Sequence, residues 1–142
     1  MKPQLALLAL AASLTLAATN WNAESPPEEP VIHFTTESFT EALNRAKKEN
    51  KVVFVDVYAT WCGPCTLLKR TTFTDKELSE YFNTHFINIA VDGETSEGKK
   101  VMDSYQVRSY PTLLFLNPDG SVREAVIGYH TASQLLKAAK RI

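Results

Sequence analysis

The sequence predicts an α/β domain built on one sheet of mixed strand direction, with helices on both faces. Three observations predict it. Segments with apolar residues at three- and four-residue spacing alternate with short runs rich in Val, Ile and Phe. One of those runs, Val52 to Val57, is apolar almost without break, as a central strand covered on both faces must be. The last two runs, Thr112 to Leu116 and Val122 to Ile127, flank the turn sequence Asn117-Pro118-Asp119-Gly120 and close as a hairpin. Alternating elements followed by a closing hairpin give a layered sheet.

The chain begins with Met1-Lys2 and then an apolar run from Leu5 to Ala18, followed by small and polar residues. A positive start, an apolar middle and a small-residue exit make residues 1–19 a secretory signal peptide, with cleavage expected between Ala17 and Ala23. The alternative is an uncleaved N-terminal anchor, although the run falls short of the roughly 20 residues that span a bilayer. No cysteine lies at its exit, which excludes a lipid attached there. Residues 20–30 carry Pro26, Pro27 and Pro30 among Glu24, Glu28 and Glu29. Proline and like charge keep such a stretch extended. It reads as a linker or as an N-terminal segment without a role, and the domain occupies residues 31–142.

Within the domain, Val31 to Phe34 reads as a first strand. Ser38 and Glu41 form a capping box for a helix whose inner face holds Phe39, Ala42, Leu43 and Ala46. Lys47 and Lys48 lie in its last turn, where the helix dipole favours cations. After the strand Val52–Val57, Leu67 and Leu68 belong to a helix running to about Thr72. Thr74 and Glu77 form a second capping box, opening a helix with Leu78, Tyr81 and Phe82 inward. Phe86 to Val91 is a strand, 92–98 a polar loop, and Lys99 to Tyr105 a short helix. Thr131 and Gln134 form a third capping box before a final helix with Leu135, Leu136 and Ala139 inward.

The length of 142 residues suits one domain. A net charge of −1 supplies no basic field for nucleic acid or anionic lipid. There is no Gly-rich phosphate loop. The two cysteines, Cys62 and Cys65, are too few for a disulfide scaffold and leave a catalytic pair, one structural bridge, or part of a metal site. His33, His85 and His130 share no ligand spacing with them, so neither a metal nor another cofactor is expected.

The pair lies where a strand passes into a helix. A thiolate at Cys62 is favoured by the positive end of that helix, and Cys62 is expected to be the exposed nucleophile. Cys65, one turn inside, is expected to be better buried. Gly63 and Pro64 shape the turn, and Pro64 lacks an N–H that the first helical turn does not use. Asp56 stands in the apolar strand, where desolvation raises a carboxyl pKa. The alternative is an Asp at a strand end in contact with solvent.

The stretch Val55-Asp56-Val57-Tyr58-Ala59-Thr60-Trp61-Cys62-Gly63-Pro64-Cys65 resembles the active site of thioredoxins. Tyr110-Pro111-Thr112 resembles that family's cis-proline loop, and Gly128 its glycine after the last strand. The resemblance covers residues 31–142 and implies the thioredoxin fold and a thiol–disulfide oxidoreductase. It implies that Asp56 takes the proton from Cys65, that Trp61 is a surface lid, and that Pro111 is cis. Trp61, Gly63, Pro64, Tyr110, Pro111 and Thr112 are then the residues that meet an extended client segment, the 110–112 loop facing Cys62 and offering its backbone N–H and C=O groups. Thr66, Arg70, Asn88 and Tyr110 depart from the usual pattern, Asn88 standing where a lysine neighbours the buried Asp. The 71–75 stretch, the 93–98 loop and Tyr110-Pro111-Thr112 look more like the exported domains of bacterial thiol–disulfide interchange proteins. The Gly-Pro dipeptide resembles the reducing members of the family. The expected protein is an exported, monomeric reductase of disulfide-containing client proteins, recharged by a membrane electron-donor protein. The alternatives are a redox-inactive binding domain with a structural Cys62–Cys65 bridge, or an oxidase or isomerase.

Overall fold

A computed structural model of the protein describes residues 29–142; the expected signal peptide and nearly all of the linker lie outside the described residues. Helix α1 (Phe39–Glu49) opens the domain, and its Ser38–Glu41 capping box is complete. Strand β1 (Val52–Tyr58) follows. A short helix α2 (Gly63–Leu67) runs directly into a π-helical turn, Leu68–Thr72. Then come α3 (Lys76–His85), β2 (Phe86–Asp92), α4 (Ser96–Ser104), β3 (Thr112–Leu116), β4 (Val122–Ile127) and α5 (Ala132–Ala139).

The sheet order is β2-β1-β3-β4. β1 and β2 are parallel, with Asp56 opposite Ala90, and β1 and β3 antiparallel, with Asp56 opposite Leu113. β3 and β4 form the closing hairpin, in which Gly120 accepts a φ of 86° that a side chain would resist. Alternation along β1 divides the core. Phe54 packs with Leu113 and Phe115 under Leu68, Phe73, Phe82 and Leu135; Val53, Val55 and Val57 face α1 and α4. Asp56 shares the Phe54 face, so its carboxylate points to the side covered by α2 and the π-turn.

Four expectations need correction. Residues 31–34 form no strand. Ile32 N–H donates to Phe73 O and Thr35 N–H to Asn88 O, while the Asn83 side chain takes His33 N–H and donates to Val31 O. These bonds reach three different elements, so no ladder forms and β2 remains an edge.

The cap of α3 is Asp75, which accepts from Leu78 N–H; the Thr74 hydroxyl instead donates to Arg70 and Thr71 carbonyls. Helix α4 begins at Ser96 under the Thr95 cap, three residues before its expected start, because Gly98 lets the helix close onto Asp92 O. The helix after the cysteines does not stay α-helical. Phe73 N–H reaches back five residues to Leu68 O, and the Thr71 hydroxyl bonds Leu67 O. Threonine hydroxyls bonded to preceding carbonyls compete with the ordinary ladder and loosen it there.

Candidate active site

The chain leaves β1 at Tyr58 and turns once before α2. Cys62 caps that helix: its sulfur accepts from Cys65 N–H at 3.2 Å, and its carbonyl takes Thr66 N–H at 3.1 Å. The two sulfurs are joined in a disulfide with Cα atoms 5.3 Å apart. Three residues of one helical turn give the small ring that this spacing allows. Gly63 and Pro64 fill its outer rim, and a Cβ on Gly63 would meet nothing within 4 Å.

The expected contrast between an exposed Cys62 and a buried Cys65 is absent in this disulfide form: they are 4% and 2% exposed. Ala59, Tyr58 and Tyr110 pack against the pair, and the ring turns Cys62 Sγ inward over the helix end. Trp61 stands beside it, 71% exposed, with its ring edge-on to Tyr110 at 5.7 Å.

Asp56 is 1% exposed, and neither carboxylate oxygen has a hydrogen-bond partner among the described residues. Burial raises its pKa to about 7; the positive charge of Lys69 pulls the other way. Lys69 comes from the π-turn, and its Nζ lies 3.5 Å from the centre of the Tyr58 ring. Asn88, by contrast, faces Phe54 across the sheet and spends its amide on Phe82 O and Asn83 Oδ1. The cation serving Asp56 therefore comes from a different element than the lysine position that Asn88 occupies.

The Tyr110–Pro111 peptide is cis. Pro111 O already accepts from Gly128 N–H at 2.8 Å. Thr112 opens β3, is buried, and donates its hydroxyl to Ser109 O at 2.8 Å. Tyr110 donates its hydroxyl to Glu94 Oε1 at 2.9 Å and lies 3.0 Å from Met102 Sδ. Burial raises its pKa to about 12, with help from the Glu94 bond.

The structure thus brings Cys62, Cys65, Trp61 and Tyr110 together and sets Asp56 on the strand face beneath them. Sequence reasoning passed over Tyr58, Lys69 and Glu94. Tyr58 was legible: two residues after Asp56 on a strand, it shares that face. Nothing local signalled Lys69 or Glu94. Among the described residues no His, Cys, Asp and Glu side chains gather where they could hold a metal ion.

Residues 39–142 match the family described as a thioredoxin-like domain. Thioredoxin H3 of Arabidopsis thaliana is 30% identical over 100 residues, which is 70% of this chain and 79% of that protein. The thiol:disulfide interchange protein DsbD of Pseudomonas fluorescens is 28% identical over 85 residues, covering 59% of this chain; the match spans 15% of that protein's length. A solution structure of a candidate disulphide-isomerase from Bacteroides thetaiotaomicron aligns with a TM-score of 0.70 and 44% identity, over 80% of this chain and 93% of that one. With its mixed sheet and its Cys62–Cys65 disulfide at a helix start, the chain belongs to the thioredoxin-like family of thiol–disulfide oxidoreductases.

Proposed function

We propose that the protein is an exported reductase of protein disulfides, working through the Cys62/Cys65 dithiol–disulfide cycle. The observation that carries the exchange chemistry is the buried, unpartnered Asp56 on the strand that leads into a disulfide at a helix start, on the same strand face as Tyr58, which packs against the two cysteines. A structural bridge needs no base below it, and an unpaired buried carboxylate costs stability.

In the reduced protein, the Cys62 thiolate attacks one sulfur of a client disulfide and the other client sulfur leaves as a thiolate. Asp56 takes the Cys65 proton, and a pKa near 7 suits that transfer at neutral pH. The Cys65 thiolate then attacks Cys62 Sγ and expels the second client thiolate. Two electrons have passed from the protein dithiol to the client, and the intramolecular disulfide remains. Trp61, Gly63, Pro64 and the Tyr110–Pro111 edge surround the sulfurs and form the surface on which an extended client segment docks. Because Pro111 O is occupied by Gly128 N–H, the cis-proline loop meets the client mainly through Tyr110, with the buried Thr112 side chain anchoring the loop.

The interchange proteins among the relatives support a place in a thiol relay; the donor proposed to recharge the pair is a membrane protein. Turbidity from reduction of insulin by dithiothreitol should appear sooner with the protein present. A redox titration against glutathione gives the direction: a potential near that of strong exported oxidants, about −120 mV, would refute a reductase. The likeness to a candidate disulphide-isomerase favours isomerisation as a second reading. Recovery of activity from a scrambled multi-disulfide protein, without net reduction, distinguishes it.

A further inference from the structure

Tyr110 is held from below by the loop between β2 and α4. Gly93 N–H donates to Tyr58 O at 2.8 Å, which ties that loop to the end of β1. A Cβ on Gly93 would lie 2.3 Å from the Tyr110 hydroxyl, so the tyrosine rests directly on this backbone. Glu94 N–H donates to the Asp92 carboxylate, and the Glu94 carboxylate accepts from Tyr110. The Tyr110 ring then reaches the Cys62–Cys65 cluster on one side and Trp61 on another. Glu94 is exposed, and no lysine or arginine among the described residues forms an ion pair with it. An uncompensated carboxylate therefore stands one tyrosine length from the disulfide, fixed in place by a hydrogen bond, with Asp92 beside it.

We propose that Glu94 is a specificity-determining residue: its carboxylate, held at the rim through Tyr110, makes the site prefer client segments with a cationic side chain beside the reacting cysteine. The inference rests on the exchange activity proposed above. A carboxylate near a docked client attracts a cation and repels an anion, and Glu94 is an exposed carboxylate bonded directly to Tyr110, the residue that packs against Trp61 and the disulfide. Lys69 and Arg70 on the π-turn and Arg108, two residues before Tyr110, are the cations that follow or precede the site residues in sequence. Lys69 is spent on the Tyr58 face, and Arg108 donates to Val107 O.

The test compares the reduced protein with two small disulfides of similar size, cystamine, which carries two ammonium groups, and dithiodiglycolate, which carries two carboxylates. In each reaction the dithiol loses two electrons, the probe gains them, and two probe thiols are released and counted. The readout is the ratio of the two rates, in wild type and in Glu94→Gln. Glutamine keeps an oxygen acceptor for Tyr110 and removes only the charge, so the thermal midpoint should stay put. The cations act equally in both proteins and cancel in the comparison.

At low salt the cystamine-to-dithiodiglycolate ratio should fall about fivefold in Glu94→Gln, the size of one charge acting across a partly solvated gap. The difference should shrink toward none as salt approaches about 1 M. Glu94→Lys should reverse the preference. An unchanged ratio with exchange intact would overturn this inference alone; failure of wild type to exchange with either probe would overturn it together with the proposed function.

Discussion

Lys69 Nζ lies 3.5 Å from the centre of the Tyr58 ring. The contact places an ammonium over the strand face that carries Asp56, where it lowers a carboxyl pKa that burial has raised. The cation reaches this position from the π-turn, four residues after Cys65. Lys69→Met keeps most of the stem and removes the charge. The Asp56 pKa should then rise above about 7, read from the carboxyl resonance in a pH titration. A pKa that stays in place would show that solvent already screens Lys69 from Asp56.

Asp56 also predicts a pH dependence of stability. Its ordinary pKa is 3.8 and its folded value about 7. Between those limits the folded chain holds a proton that the unfolded chain has released. Stability is therefore highest below the unfolded pKa, falls as pH rises through the window, and stays low above it. The loss is on the order of 4 kcal/mol. In Asp56→Asn this slope disappears. Near pH 8 the variant should have the higher urea midpoint, and near pH 3 the two should converge. Equal midpoints near pH 8 would mean a solvated carboxylate.

The cysteines predict an asymmetric pair of variants. Cys62→Ser should abolish insulin reduction. Cys65→Ser should accumulate mixed disulfides through Cys62, because no resolving thiol remains. Mass spectrometry of the trapped adducts identifies the attacking sulfur. Adducts that form on Cys65 in the Cys62→Ser protein, and not on Cys62 in its counterpart, would reverse the assignment.

Two glycines near the site should differ in their tolerance of a methyl group. A Cβ at Gly98 would lie 1.9 Å from the Asp92 carbonyl oxygen, which is backbone; at Gly93 it would meet the tips of Tyr110 and Met102. Side-chain tips can move and a strand end cannot. Gly93→Ala should cost about 1–3 kcal/mol and loosen Tyr110, raising the rotational freedom of Trp61 seen by fluorescence anisotropy. Gly98→Ala should cost more. The order of their thermal midpoints checks the argument.

What the sequence determined by itself is what acts over a few residues or one period. Ser38 with Glu41 and Thr131 with Gln134 cap α1 and α5 as their spacing demands. The apolar run of β1, broken only by Asp56, is buried on both faces, and Asn117 to Gly120 turns the hairpin. The Cys-Gly-Pro-Cys spacing closes its own ring, and the apolar neighbours of Asp56 foretold its burial. The tertiary structure decided whatever joins distant residues. Val31 to Phe34 has strand chemistry, yet the Asn83 side chain, 50 residues away, takes the His33 N–H in place of a ladder. Lys69 reached Tyr58, and Glu94 reached Tyr110, only because the sheet and the crossover through the π-turn brought them there. Such contacts have no sequence period. They depend on where whole elements pack, and packing is set by the sum of the core rather than by the residues that meet at the site.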